Sequence, residues 1–279
     1  MYGAGKDMPR RLIAEATSRL NAAGVPSARV DAELLAAFVL DVPRGRLVLV
    51  DEFPPELVTR FEELVARRAE RIPLQHLTGR AHFAGLELAV GPGVFVPRPE
   101  TELLVEWGLS QVRAGIAVDL CSGSGAIACA VARTIPVVYA VERDPDALPW
   151  LRRNTQNTSV TVVPGDATDP STLADLDGTV DLLLTNPPYV PTTEALPPEV
   201  IDHDPAVALF GGEDGLSVIR PLLVRAAGLL RTGGSFGMEH DDQHGESVPA
   251  LMAASGDWEA VTAHRDLAGR PRFVTAVRR

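Results

Sequence analysis

The stretch IAVDLCSGSGAIACAVART, residues 116–134, joins a short apolar run, a glycine loop and a helix of small residues. Ile116–Leu120 predicts a strand buried on both faces, and the residues after Gly125 predict a helix. Gly123 and Gly125 let the connecting backbone approach a ligand closely, beside the free N–H groups of a helix N-terminus. A strand, a glycine loop and a helix in this order indicate an α/β sheet with a ligand site at its strand ends.

The same alternation of strands and helices continues towards the end of the chain. The predicted strands are 116–120, 136–141, 160–163, 180–184, 235–240, WEAVTA (258–263) and RFVTAV (272–277). Helices between the earlier strands indicate a doubly wound, mostly parallel, seven-stranded sheet. The last two strands have no helix-length segment between them, which predicts an antiparallel edge.

A different pattern precedes residue 80, where three amphipathic helices and no strand are predicted. In AHFAGLELAVGPGVFV (81–96), two short apolar runs flank Gly-Pro-Gly, which predicts a hairpin that turns at those three residues. PRPETELLVEWGLSQV then predicts another helix. We therefore expect a helical domain (1–80), a β-hairpin linker (81–97) and the α/β domain (98–279).

Composition and charge limit the classes of function. Residues 1–75 carry 11 Lys+Arg and 11 Asp+Glu, so the remaining 15 basic and 26 acidic residues account for the net charge of −11. An acidic α/β domain weighs against a nucleic-acid substrate, because phosphate backbones attract basic surfaces. No apolar run approaches the roughly 18 residues of a membrane span, and no secretory h-region is present.

Cys121 and Cys129 lie about two helical turns apart, too far for a disulfide. We expect reduced cysteines and a cytoplasmic location.

The segment LLLTNPPYV (182–190) ends an apolar strand with an amide, two prolines and an aromatic residue. Asn186 precedes a proline and is therefore held extended, and the prolines fix their own φ angles. The stiff loop presents two acceptors, the Asn186 side-chain oxygen and the Pro187 carbonyl. Two acceptors suit a conjugated NH₂ group, whose nitrogen develops positive charge as it attacks a methyl group. Tyr189 can stack on the planar acceptor.

The glycine loop alone leaves the cofactor open. Read from Gly123, the run G-x-G-x-x-A also fits a dinucleotide fingerprint, and a carboxylate at Glu142 suits the ribose of either NAD or S-adenosylmethionine. Asp119 favours S-adenosylmethionine, because an acid beneath the loop faces an ammonium group favourably and repels pyrophosphate. Asp166 either receives the adenine amino group or forms a turn.

Six segments, with the helical N-terminus, resemble the HemK-type release factor glutamine N5-methyltransferases over nearly the whole chain. They are RIPLQHLTGRAHFAGLEL (71–88), VFVPRPETELLVE (94–106), DLCSGSGAIA (119–128), NPPYVP (186–191), PAVALFGGEDGL (205–216) and DLAGRPRFV (266–274). The resemblance implies a class I methyltransferase that uses S-adenosylmethionine, and a glutamine in the Gly-Gly-Gln motif of release factors as its substrate.

The same resemblance implies roles for individual residues. Asn186 and the Pro187 carbonyl would hold the glutamine amide, and Pro188 and Tyr189 would complete that pocket; Asn186, Pro187 and Tyr189 are the expected catalytic residues. The implied cofactor residues are Cys121, Ser122, Gly123, Ser124 and Gly125 for the methionine part, Glu142 for the ribose, Asp166 and Ala167 for the adenine, and Asn186, Phe95 and Arg98 around it. Cys121 and Ser122 depart from the Gly and Thr usual in the family.

The resemblance also implies partners, and several rival functions remain. The N-terminal helices would dock the release factor, with no membrane partner and no direct nucleic-acid contact. The alternatives are a ribosomal-protein glutamine methyltransferase, a nucleic-acid amino-methyltransferase, an NAD(P)-dependent oxidoreductase and a non-catalytic binding protein.

No metal site is predicted. The acidic and histidine residues of EHDDQH (239–244) and DHD (202–204) are predicted to be solvated loop charges, because a third defined ligand is lacking.

Overall fold

The structure, a computed structural model, describes residues 8–279 in two compact units. The helical unit contains the described residues up to Arg80 together with Pro197–His203, and the sheet unit contains Ala81–Leu196 and Asp204–Arg279. Within residues 8–279, no helix is long and apolar enough to cross a membrane.

The helical unit is built from amphipathic helices around one apolar core. Its elements are α1 (Met8–Ala22), α2 (Ala28–Val39), a 3₁₀ turn (Arg44–Leu49), α3 (Pro55–Ala69), α4 (Leu74–Thr78) and α8 (Pro198–Ile201). Leu20, Leu35, Phe53 and Phe61 are almost fully buried in this core, and the two phenylalanine ring centroids are 5.4 Å apart. The three predicted helices correspond to α1, α2 and α3. The elements α4, α8 and the 3₁₀ turn were not predicted, because they are too short to show a helical period.

A partly buried ion-pair cluster ties α8 to α2 and α3. Arg68 Nε contacts Asp31 Oδ2 at 2.7 Å, and Arg68 Nη2 contacts Glu199 Oε1 at 3.0 Å. The Arg71 guanidinium contacts both Glu199 oxygens at 2.6 Å. Burial raises the pKa of Glu199, but its hydrogen bonds to Arg71 and Arg68 outweigh that effect and bring it to about 2. A segment that follows the Asn-Pro-Pro-Tyr loop is therefore anchored among the N-terminal helices.

The predicted position of the hairpin turn is wrong. Strands β1 (Arg80–Phe83) and β2 (Leu86–Ala89) form the two-stranded sheet, and the chain reverses at Ala84 and Gly85. Both turn residues have positive φ, 48° and 74°, as a two-residue hairpin turn requires. Gly91 serves close packing instead, because a Cβ there would lie 2.6 Å from the Trp150 ring.

The seven-stranded sheet has the order β5-β4-β3-β6-β7-β9-β8. Its strands are β3 (Ile116–Leu120), β4 (Val137–Glu142), β5 (Val160–Pro164), β6 (Val180–Thr185), β7 (Leu230–Glu239), β8 (Trp258–Arg265) and β9 (Pro271–Arg278). Neighbours from β5 to β7 are parallel, whereas β9 pairs antiparallel with β7 and β8. The doubly wound sheet and its antiparallel edge are thus confirmed. Strand β7 begins five residues earlier than predicted.

Helices cover both faces of this sheet and leave a crevice at one edge. They are α5 (Thr101–Gln111), α6 (Ala126–Ala132), α7 (Leu148–Thr155), α9 (Ala206–Leu209), α10 (Ile219–Leu229) and α11 (Ser247–Ser255). One apolar cluster includes Leu104 and Leu151, and another includes Leu222 and Phe236. The strand order reverses between β3 and β6, and a ligand crevice forms at the carboxyl ends of strands at such a point.

Candidate active site

A cavity in the sheet unit lies at the carboxyl ends of β3, β4 and β6. It brings together thirteen residues that were predicted to contact the cofactor or the acceptor: Phe95, Arg98, Cys121, Ser122, Gly123, Ser124, Glu142, Asp166, Ala167, Asn186, Pro187, Pro188 and Tyr189. Gly125, the last residue of the loop before α6, does not line the cavity. Residues distant in the sequence therefore share one site, although their individual roles remain predictions.

The glycine loop forms a tight turn between β3 and α6. Cys121, Gly123 and Gly125 all have positive φ, at 61°, 53° and 86°. The Ser122 N–H donates to the Val141 carbonyl at 2.9 Å, which ties the loop to β4. A Cβ at Gly125 would lie 2.7 Å from Leu151 Cδ1, whereas one at Gly123 would meet nothing within 4 Å. Gly125 therefore serves the packing of the loop, and Gly123 leaves open space.

The Glu142 carboxylate holds the loop from the end of β4. Its Oε2 accepts the Gly123 N–H at 2.7 Å, and its Oε1 accepts the N–H groups of Arg143 and Asp144 at 2.8 Å each. An ionised carboxylate has about four acceptor positions, so one remains for a ligand hydroxyl. Glu142 is buried and lines the cavity, which suits the predicted contact with a ribose.

Asp119 lies inside β3 below the loop. Its Oδ2 accepts the Ala128 N–H at 3.1 Å, and its buried Oδ1 has no hydrogen-bond partner among residues 8–279. Burial raises the pKa of Asp119 to about 8. Burial also raises the pKa of the Cys121 and Cys129 thiols, which are both free. A buried carboxylate oxygen without a partner is a group that a nearby cation would stabilise.

These features fit S-adenosylmethionine better than a dinucleotide. The cofactor carries one ribose, one ammonium group and a sulfonium, and no phosphate. Glu142 supplies an acceptor for the ribose hydroxyls. Asp119 does not line the cavity, but its carboxyl lies below the loop and, once ionised, would favour positive charge there. The buried Glu142 carboxylate beside the glycine loop would oppose a pyrophosphate.

Asp166 forms a turn and faces the cavity at the same time. Its Oδ1 accepts from the Thr168 N–H at 2.8 Å and from the Thr168 hydroxyl at 2.7 Å, and Arg143 Nη1 lies 3.3 Å from its Oδ2. The Thr168 hydroxyl bond holds the pKa of Asp166 below its usual range. Ala167 is buried beside it in the cavity wall. The turn-forming alternative and the adenine contact are thus compatible.

Phe95 and Arg98 form a wall before α5. The Arg98 guanidinium carbon lies 4.8 Å from the centroid of the Phe95 ring, and Arg98 Nη2 contacts Asp204 Oδ2 at 2.6 Å. Asp204 is buried, so its prediction as a solvated loop charge is wrong. The Arg98 ion pair joins the segment before α5 to the segment before α9, and both segments line the cavity.

The Asn-Pro-Pro-Tyr loop follows β6 directly. The Thr185 hydroxyl donates to the Leu120 carbonyl of β3 at 2.7 Å, which fixes the strand end. The half-buried Asn186 side chain makes no hydrogen bond with any residue from 8 to 279 and lines the cavity together with Pro187. The Tyr189 hydroxyl donates to Glu239 Oε1 at 2.9 Å. The acceptors predicted for an amide are therefore available.

Glu239 was missed as a site residue. It ends β7, is 2% exposed, and accepts from the Thr101 hydroxyl at 2.6 Å as well as from Tyr189. The prediction of solvated charges is wrong here, because Glu239, His240, Asp241 and His244 are all buried. The position of Glu239 at the end of a strand was a missed signal. Because β7 lies next to β6, a carboxylate at the end of β7 must lie near the Asn-Pro-Pro-Tyr loop that follows β6.

No group of His, Cys, Asp or Glu side chains in the described part of the chain, residues 8–279, is arranged to hold a metal ion. Among the buried histidines, His240 Nδ1 contacts the Asp241 carbonyl at 2.8 Å and His244 Nε2 contacts the Asp214 carbonyl at 2.9 Å. Each ring therefore uses one nitrogen for a backbone contact.

Comparison with known proteins gives two family models that match consecutive parts of the chain. The PrmC N-terminal domain matches residues 11–79, and the methyltransferase small domain matches residues 86–202. Residues 80–85, which contain β1 and the hairpin turn, lie between the two matches. The second match contains both the glycine loop and the Asn-Pro-Pro-Tyr loop.

Individual relatives agree with these models. The release factor glutamine methyltransferase of Mycolicibacterium smegmatis is 54% identical over 96% of this chain and 97% of its own length. A 4-amino-L-phenylalanine/4-methylamino-L-phenylalanine methyltransferase of Streptomyces pristinaespiralis is 41% identical over 88% of this chain and 87% of its own length. The solved structure of the 16S rRNA N2 G1207 methyltransferase of T. thermophilus has a TM-score of 0.52 at 21% identity, covering 72% of this chain and 50% of that one. That structural similarity concerns the fold alone.

Proposed function

The chain belongs to the release factor glutamine methyltransferase family, and from this premise we propose its reaction. It transfers the methyl group of S-adenosylmethionine to the side-chain amide nitrogen, N5, of the glutamine in the Gly-Gly-Gln motif of peptide chain release factors. Sequence identity of 54% over 96% of the chain supports the family, and the geometry of the Asn-Pro-Pro-Tyr loop supports the acceptor.

The observation that carries the proposal is the unpartnered amide of Asn186 in the cavity wall. A planar NH₂ group has two N–H donors, and the Asn186 side-chain oxygen and the Pro187 carbonyl supply two acceptors on one stiff loop. An NAD(P)-dependent oxidoreductase has no use for such a pair. The Asn186 site thus favours an amide or an aryl amine as the methyl acceptor.

The protein's contribution to the reaction is orientation and charge stabilisation. S-adenosylmethionine supplies an electrophilic methyl group on a sulfonium sulfur. Asn186 and the Pro187 carbonyl hold the two amide hydrogens, so that the nitrogen lone pair turns out of conjugation and towards the methyl carbon. The nitrogen forms its new bond while the carbon–sulfur bond breaks, and both acceptors stabilise the positive charge that develops. The extra proton then leaves the nitrogen for water.

Tyr189 and the prolines shape the acceptor pocket. Pro187 and Pro188 are buried and fix the path of the loop, and the Tyr189 hydroxyl is held by Glu239. A ring fixed at its far end can stack on the planar amide without losing further rotational freedom. Glu142 would bind the ribose, and Cys121 to Ser124, which line the cavity, would hold the methionine part of the cofactor.

Mass spectrometry of purified release factor after incubation with the protein and S-adenosylmethionine tests the reaction and the acceptor together. A gain of one methyl group on the Gly-Gly-Gln glutamine is expected. Parallel reactions contain large-subunit ribosomal proteins, duplex DNA and free 4-amino-L-phenylalanine. Methylation in one of these reactions, with none on the release factor, would reject the proposed substrate and retain the chemistry of Asn186.

We also propose that the helical domain docks the release factor. Val48 and Leu49 support this role, because these two neighbouring apolar residues are 67% and 75% exposed at the end of the 3₁₀ turn. Leu49→Asp should raise KM for the whole factor about tenfold and leave KM for a short Gly-Gly-Gln peptide unchanged. Val224→Asp, at a 71% exposed position on α10, is the matched control. Equal effects of the two substitutions would reject the docking role.

A further inference from the structure

The buried carboxylate of Glu239 accepts hydrogen bonds from residues on two different walls of the cavity. Glu239 Oε1 accepts the Tyr189 hydroxyl at 2.9 Å, and Glu239 Oε2 accepts the Thr101 hydroxyl at 2.6 Å. Tyr189 and Thr101 line the cavity, whereas Glu239 does not. The carboxylate therefore reaches the cavity only through two other side chains.

Each of these two hydroxyls belongs to a different wall. Tyr189 lies three residues after Asn186, on the loop that faces the acceptor. Thr101 is the first residue of α5 and lies three residues after Arg98, on the segment that faces the cofactor. Glu239 itself ends β7, in which Met238 pairs with Thr185 of β6. Its carboxylate thus stands at the end of a sheet strand and joins both walls to the sheet.

Stability alone does not explain a carboxylate at this position. Glu239 is 2% exposed, and burial raises its pKa, although two hydroxyl donors and the nearby Arg272 favour the ionised form. Arg272 is itself held by Asp266, with 3.0 Å between Nη2 and Oδ2. Replacement of buried ionic groups by apolar groups of similar volume is often neutral or stabilising. The Glu239 carboxylate costs free energy to bury and joins two walls of the cavity, which indicates a role in the reaction.

We propose that Glu239 is a positioning residue for the methyl transfer, which fixes Tyr189 against the acceptor amide and Thr101 with its preceding segment against the cofactor. This inference rests on the proposed function. Glu239 touches neither reactant, and its effect passes through the Tyr189 and Thr101 hydroxyls. Loss of the carboxylate should therefore change both the rate of transfer and the binding of the cofactor, each through its own hydroxyl.

The test compares Glu239→Ala with Glu239→Gln, Tyr189→Phe and Thr101→Val in the full chain. We measure kcat and KM with release factor, and the Kd of S-adenosylmethionine by calorimetry. Tyr189→Phe should lower kcat about fivefold with unchanged cofactor Kd, and Thr101→Val should raise the cofactor Kd about fivefold. Glu239→Ala should show both changes. Glu239→Gln should stay within about threefold of the unsubstituted protein, because its amide can accept one hydroxyl and donate to the other.

A double substitution separates positioning from a structural role. If Glu239 acts through Tyr189, adding Tyr189→Phe to Glu239→Ala should lower kcat no further, because interacting residues are not additive. Independent, multiplicative effects would overturn the proposal, as would a Glu239→Gln variant as impaired as Glu239→Ala. A Glu239→Ala variant with a lower Tm but unaltered kcat and Kd would also overturn it. If the unsubstituted protein left release factor unmethylated, the proposed function would fail instead.

Discussion

The two sides of the cavity are made rigid by different means. On the glycine-loop side, Glu142 accepts three backbone N–H groups and Asp166 accepts two hydrogen bonds from Thr168. On the other side, two prolines fix the loop and the Asn186 amide has no partner among residues 8–279. Rigidity through hydrogen bonds uses the polar groups of the chain, whereas rigidity through proline rings leaves them available. The acceptor side can therefore bind an amide without first breaking contacts of its own.

The largest expected effect is that of Asn186→Ala, which removes an acceptor for the developing charge. We expect kcat to fall about 100- to 1000-fold and the Kd of S-adenosylmethionine to change less than about threefold. Single-turnover kinetics with release factor and calorimetry with the cofactor give the two values. Near-normal turnover in this variant would contradict the assignment of the acceptor to one side of the cavity and of the cofactor to the other.

The opposite pattern is expected for Glu142→Ala. The substitution removes three charge-assisted hydrogen bonds within the chain and the predicted contact with the ribose. We expect the Kd of S-adenosylmethionine to rise about 30-fold, while kcat at saturating cofactor stays within about threefold. Calorimetry and initial rates at high cofactor concentration measure both. If Glu142→Ala instead lowered kcat as strongly as Asn186→Ala, the two sides would not have separate tasks.

Packing of the glycine loop gives the third prediction, with an expected effect of about 2 kcal/mol on the free energy of unfolding. An alanine at Gly125 combines a φ of 86° with a Cβ only 2.7 Å from Leu151, and should destabilise the protein by that amount. Gly123→Ala is the matched control, because it shares the positive φ but meets nothing within 4 Å, and should cost about 1 kcal/mol. Urea unfolding measures both variants. Equal losses would show that backbone strain alone explains the glycine at 125.

Local signals made the sheet and the cavity predictable. Where strands and helices alternate, a short apolar run such as Ile116–Leu120 indicates a buried strand. The strand order then brings the ends of β3 and β6 together. The hairpin turn was misplaced because Gly91-Pro92-Gly93 is the stronger local turn signal, whereas the true turn uses Ala84 at positive φ. Sequence patterns do not show that Gly91 packs against Trp150.

Charged residues were the least predictable part of the site. Glu239 and Asp204 looked like loop charges because neighbouring acids usually lie in solvent. Their burial depends on partners distant in the sequence, Tyr189 and Thr101 for the first and Arg98 for the second. Such pairs form only after the chain has folded, so no local period reveals them.

The last prediction concerns Asp119 and the pH dependence of cofactor binding. Burial raises the pKa of this carboxyl to about 8, so below that pH the group is largely protonated and must lose its proton to favour an ammonium group. Affinity for S-adenosylmethionine should therefore rise between pH 6 and 8, by at most about tenfold per unit, and level off above pH 8. Calorimetry in two buffers of different ionisation enthalpy should detect the released proton. Asp119→Asn cannot release it, so this variant should bind more weakly at pH 8 and show a flatter pH profile. An identical slope in both proteins would assign the titration to another group, and Asp119 would then serve only the Ala128 N–H.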